Sequence, residues 1–85
     1  MMTFDYKIKD HFGVNVKPAL AFAKIAEDFN SKIEIQGNHS CLEATRLTEL
    51  IALGIKQGDT ISVSVSGEDE EAAIQAMLNC CEENL

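Results

Sequence analysis

The spacing of apolar side chains in this chain switches repeatedly between a period of two and a period near 3.6, and that alternation constrains the fold more than any single residue. Phe4, Tyr6 and Ile8 alternate with Thr3, Asp5, Lys7 and Lys9, which predicts a strand with one buried face. From Lys17 the spacing turns helical through Ala19, Phe22, Ala23, Ile25, Ala26 and Phe29, with Pro18 suited to a first turn. Lys32 to Gln36 alternates again, Gly37-Asn38 supplies turn residues, and Ser40 to Glu43 returns as a short antiparallel partner. Leu47, Leu50 and Ile51 predict a short helix with Thr45 as its N-cap and Gly54 just past its end. After the turn residues Gln57-Gly58-Asp59, Ile61, Val63 and Val65 give a strand from Thr60 to Ser66 one apolar face. The acids of positions 68 to 71 open a last helix with the stripe Ile74, Met77, Leu78 and Cys81.

Strands with a single apolar face predict a largely antiparallel sheet covered on one side by the helices. The expected fold is therefore α+β, an open-faced β-sandwich of order βαββαβα, and residues 1–85 form one domain without internal repeats. Hydrophobic residues make up 46% of the chain, which separates it from disordered sequences. A formal charge of -7 removes the phosphate-neutralising surface that nucleic-acid binding requires, so no nucleic-acid partner is expected. Residues 68 to 85 hold six acids and no base, so most of that charge sits on the last helix, where a solvated face accounts for it. No apolar run approaches the roughly 20 residues that span a bilayer, and the first residues lack the pattern of an export signal. No membrane partner and a cytoplasmic location are the expectations. The cysteines, Cys41, Cys80 and Cys81, have neither the number nor the spacing of a disulfide framework or a zinc site. They read as reduced, buried or half-buried thiols, with no metal and no cofactor.

The segment Gly13-Val14-Asn15-Val16-Lys17-Pro18-Ala19 resembles the phosphorylation-site motif G-[LI]-H-x-R-P-A of the HPr family, the phosphocarriers of the bacterial sugar phosphotransferase system. The resemblance continues through Thr45-Arg46-Leu47, Leu53 to Asp59 and Gly67 to Glu70, and covers the whole chain. It implies an antiparallel sheet of strand order 1-4-2-3 with three helices on one face, and a protein that is not itself an enzyme. In the family a histidine at the mouth of the first helix accepts a phosphoryl group and passes it on, since a neutral imidazole nitrogen is nucleophilic near pH 7. Here that position is Asn15. A carboxamide nitrogen shares its lone pair with the carbonyl and is neither basic nor nucleophilic. Asn15 also reads as a helix N-cap whose side-chain oxygen accepts the N–H of Lys17 or Ala19, since Pro18 has none.

The family arginine two residues on is Lys17, which keeps the positive charge and loses the planar fork. Asn15, Lys17 and Ala19 are thus the expected remnant of an anion site at the helix start. The regulatory serine that many Gram-positive members carry corresponds to Arg46, a fixed cation in place of a phosphorylatable hydroxyl. Thr45 and Thr48 stand nearby and read as helix-start hydroxyls. Neither His11 nor His39 matches the motif, and both read as loop residues. The family's docking patch corresponds to Leu20, Leu47 and Ile51, although helical spacing by itself favours Leu20 and Leu47 as core.

The function implied is protein binding or regulation without phosphate transfer, the partner being a phosphotransferase-system component or a transcriptional regulator. The competing readings are an atypical phosphocarrier using His11 and a structural module with an unrelated partner.

Overall fold

Ile61, Val63 and Val65 alternate with Ser62, Ser64 and Ser66, and this alternation builds the strand around which the sheet is assembled. The computed structural model describes residues 1–85. Its strands are β1 (Met2–Lys7), β2 (Ser31–Gly37), β3 (Ser40–Glu43) and β4 (Thr60–Gly67). The helices α1 (Val16–Asp28), α2 (Leu47–Ala52) and α3 (Glu70–Asn84) alternate with them in the order βαββαβα. The sheet order is β1-β4-β2-β3 and every pairing is antiparallel. Register places Phe4 beside Val63, Val63 beside Ile35 and Ile35 beside Leu42, so one apolar row crosses all the strands. Ile61, Val63 and Val65 retain no exposed surface under the helices. Each such side chain contributes about 1.5–3 kcal/mol relative to remaining in water.

The opposite face follows from the same register. Asp5, Ser62, Gln36 and Cys41 form one row across it, and the Ser62 hydroxyl donates to Asp5 Oδ1 at 2.6 Å. On the helical side, Phe22 is the largest wholly buried side chain, packed in a single core with Ala19, Leu50 and Met77. No helix is long and apolar enough to cross a membrane.

The elements differ from the sequence expectations at their ends. β1 stops at Lys7, although Ile8 stays buried and its N–H donates to the Asp59 carbonyl at 2.8 Å. The hairpin turn is Asn38-His39, both with positive φ (48° and 66°), while Gly37 belongs to β2. Positive φ at both central residues gives the turn the twist that antiparallel strands require. Helix α1 begins at Val16, one residue before Lys17. The N-cap of α2 is Arg46 and not Thr45, because the Arg46 carbonyl accepts the Leu50 N–H at 2.9 Å. The buried stripe of α3 is Ala73, Met77, Cys80 and Cys81, with Ile74 and Leu78 only half-buried at its edge.

Two contacts fix the loops that frame the helices. At one end, Gly13 adopts φ +65°, and a Cβ built there would lie 2.4 Å from the Ile55 carbonyl oxygen. The next residue, Val14, donates its N–H to that same oxygen at 3.0 Å. The β1–α1 loop therefore lies directly on the backbone of the α2–β4 loop. At the other end, the Asp69 carboxylate accepts the Asn30 N–H at 2.8 Å and the Ser31 hydroxyl, tying the start of β2 to the start of α3. The hydroxyl contact, followed by the backbone one, holds the Asp69 carboxyl below its ordinary range.

Two outcomes follow. Gly13→Ala meets both a left-handed backbone and the Ile55 carbonyl, and is expected to lower unfolding stability in urea by about 1–3 kcal/mol. Asp69, with its folded pKa depressed, contributes stability that is present above the unfolded value near ~3.9 and lost as pH falls through the lower folded value. Denaturation followed from pH 6 downward should therefore show a shallower acid loss in Asp69→Asn than in the wild type.

Candidate functional site

The mouth of α1 is set by the loop that Gly13 allows. Asn15 is the N-cap in an extended conformation (φ -108°, ψ -161°), its N–H donating to the Gly13 carbonyl at 3.1 Å and its carbonyl accepting the Ala19 N–H at 3.2 Å. Its side chain makes no capping hydrogen bond, so the expected bond from Lys17 or Ala19 to the carboxamide is absent. The Ala19 N–H is taken by the Asn15 backbone carbonyl, whereas the Lys17 N–H is left free. The exposed carboxamide keeps its donor and its acceptor unused. The N–H groups of Val16 and Lys17 have no partner within the chain, and Pro18 supplies none. Of the anticipated anion cradle, Asn15 and Lys17 stand together at the exposed helix start. Ala19 does not contribute: it is wholly buried and its N–H is spent.

Arg46 lies at the start of α2 with its guanidinium 3.2 Å from the Glu49 carboxylate, in an exposed i,i+3 pair. A cation at a helix N-terminus opposes the dipole, and Glu49 in the first turn offsets it. Exposed pairs of this kind contribute about 0–1 kcal/mol, so the Arg46 charge is available to another molecule at little cost. His11 sits in the exposed β1–α1 loop with its ring edge-on to Phe12, centroids 5.2 Å apart. His39 occupies the hairpin turn of β2 and β3.

The three residues expected to dock divide. Leu20, which helical spacing favours as core, is 51% exposed because it lies beside the Ala19–Phe22 stripe and not within it. Leu47 and Ile51 on α2 are half-buried and packed against the core. Sequence reasoning did not single out Phe12 or Val16, which are 73% and 56% exposed. The available signal was spacing: Phe12, Val16 and Leu20 recur every four residues, out of step with the buried residues of α1.

Comparison with known proteins agrees with this architecture. The chain belongs to the PTS-HPr family, described as the PTS HPr component phosphorylation site, whose model matches residues 2–83. It is 39% identical over 69 residues to a phosphocarrier protein HPr of Buchnera aphidicola, covering 81% of each chain. Against a phosphocarrier protein HPr of Mycoplasma genitalium, identity is 32% over 90 residues, covering 99% of this chain and 97% of the relative. A solved histidine-containing phosphocarrier protein of Mycoplasma superposes with a TM-score of 0.91 at 30% identity, covering 96% of this chain and 93% of that one.

The remaining chemistry is that of the thiols. Cys41 is exposed on β3, contrary to the buried or half-buried reading, because in the alternation of that strand it is Leu42 that faces the core. Cys80 and Cys81 are buried. Burial first, then the neighbouring Cys80 and Glu82, pushes the Cys81 thiol up to about 12, and burial likewise raises Cys80. No group of three or more His, Cys, Asp or Glu side chains is placed to hold a metal. Iodoacetamide at neutral pH is expected to modify Cys41 rapidly and to reach Cys80 and Cys81 only when urea opens the fold, as read by intact mass.

Proposed function

We propose that this member of the phosphocarrier family does not carry phosphate and acts by binding a protein partner, either a component of the phosphotransferase system or a transcriptional regulator. The observation that carries the reading is Asn15 at the mouth of α1. Phosphoryl transfer to a side chain needs a lone pair free to form the new bond, and the carboxamide offers none near neutral pH. Lys17 supplies a charge there without a forked donor set. Arg46, at the start of α2, has no hydroxyl for a kinase to modify. What the surface keeps is the means to dock: Leu20 exposed on α1, with Leu47 and Ile51 at the edge of α2. Cytoplasmic residence is part of the same proposal, since the partners in question act there.

The experiment is incubation of the purified protein with phosphoenolpyruvate and the first enzyme of the phosphotransferase system, followed by intact mass spectrometry. No acid-labile phosphoryl adduct should form on the wild type. Asn15→His should gain one, and adding Lys17→Arg should raise its rate. A wild-type chain that is modified as fast as the double variant overturns the reading. An adduct lost in His11→Ala would establish the atypical carrier instead.

The mouth of α1 retains weak anion affinity on this reading, through the N–H groups of Val16 and Lys17, the Lys17 ammonium and the Asn15 carboxamide. A dipole end and one exposed cation contribute about 0.3–1 kcal/mol each, which corresponds to a Kd no tighter than tens of millimolar. Titration with inorganic phosphate should shift the amide resonances of Val16 and Lys17 most, leave Ala19 nearly unmoved, and lose most of its effect in Lys17→Ala.

A further inference from the structure

The sheet has two open edges, β1 and β3, and they are unequal. In antiparallel pairing, successive residues of a strand turn their main-chain groups alternately to one side and the other. The Ile8 N–H donates to the Asp59 carbonyl in the same register that sets Tyr6 beside Ile61 and Phe4 beside Val63. Phe4 and Tyr6 therefore spend their N–H and C=O groups on β4, and Thr3, Asp5 and Lys7 turn theirs to the free side of β1. On β3, the bond from the Ala44 N–H to the Ile33 carbonyl leaves only Cys41 and Glu43 facing outward, and the Glu43 carbonyl already accepts the Arg46 N–H. β1 is thus the longer open ladder, and no proline interrupts it.

The surroundings of that edge have a definite chemistry. On the helical side Phe4 and Tyr6 are only half-buried, although Val63 and Ile61 beside them retain no exposed surface, so the apolar row is left incompletely covered at β1. α3 packs over β1 and β4. Where β1 and α3 end, Tyr6 lines a groove of about 370 Å³ whose charged residues are Lys9, Asp10, Glu82 and Glu83. The one cation, Lys9, rests over the Tyr6 ring with Nζ 5.8 Å from its centroid. No ion pair within the chain uses Asp10, Glu82 or Glu83. On the polar face of β1, Asp5 and Lys7 offset one another in charge.

We propose that the free edge of β1 receives an extended basic segment of a second protein, which adds antiparallel as a further strand and sets an arginine or lysine against Asp10, Glu82 and Glu83. The main-chain groups of Thr3, Asp5 and Lys7 supply the ladder, β-branched side chains of the segment complete the cover of Phe4 and Tyr6, and the carboxylates select its charge. A second copy of this chain is the poorer occupant. Pairing β1 with itself brings two α3 helices side by side, and residues 68 to 85 of each hold six acids and no base. This surface uses none of Asn15, Lys17, Leu20, Leu47 or Ile51 and stands independently of the function proposed above.

The test titrates the full chain with the peptide acetyl-Arg-Thr-Val-Thr-Val-Thr-amide while backbone amides are followed by NMR. With its arginine at the Ile8 end, the valines fall opposite Tyr6 and Phe4. Shifts should centre on Thr3, Asp5 and Lys7, and hydrogen exchange of these amides should slow. Methylating the backbone nitrogen of the second threonine, which faces Asp5, removes a ladder bond and should weaken binding about tenfold. Replacing the peptide's arginine by glutamate, or combining Glu82→Gln with Glu83→Gln in the protein, should weaken it about threefold or more, with the larger effect at low salt. Both glutamates are exposed, so thermal unfolding should stay unchanged. Equal binding of the methylated peptide, shifts centred on Cys41 or on α1, or no binding at all overturns the proposal. Protection of the same amides that grows with protein concentration, without the peptide, assigns the edge to a second copy and overturns it as well.

Discussion

The Ile55 carbonyl oxygen, met by the Val14 N–H and by the bare Cα of Gly13, is the contact on which the geometry of the site depends. It joins two loops distant in sequence, one leading into α1 and the other leaving α2. Any side chain at position 13 would separate them. With the loops in contact, the orientation of Asn15, the free N–H groups of Val16 and Lys17, and the outward Phe12 all follow from a backbone with little freedom to move. The shape of this surface is inherited from main-chain packing, before any side chain contributes.

The elements themselves were legible because their apolar periods are clean. Val63 and Ile35 read as strand interior from alternation alone, and Ala19 and Phe22 as the buried side of a helix. Element ends were less legible. Thr45 has the better capping chemistry, yet Arg46 caps α2, because the Arg46 N–H is held by the Glu43 carbonyl at 3.0 Å and the chain turns one residue later. The hairpin turn moved to Asn38-His39 because cross-strand pairing of Gly37 with Ser40 outweighs the preference for glycine in the turn. At the site, residue types were readable and hydrogen-bond partners were not. Whether the Asn15 side chain joins its carbonyl in capping depends on a side-chain rotation that no spacing encodes. The exposure of Leu20 and Phe12 likewise depends on how α1 is rolled on the sheet.

The charge distribution separates two tasks within a small molecule. Glu70 and Glu71 suit the N-terminus of α3, whereas Glu83, in its last turn, lines a groove with Lys24 and Asp28 of α1. Arg46 and Glu49 show the same economy at α2, where a cation unfavourable to the helix dipole is kept beside its own counter-ion.

The strand order also sets when the site can exist during folding. β2 and β3 are joined by a two-residue turn and can pair as soon as both are present. β1 has no neighbour but β4, so Thr3 must wait for Ser64, and closing so long a loop is slow. The anchor for Val14, at Ile55, arrives only just before β4 itself. A nascent chain therefore has its first helix synthesised long before that helix has a defined mouth. The geometry around Asn15 is reserved for molecules whose sheet is complete.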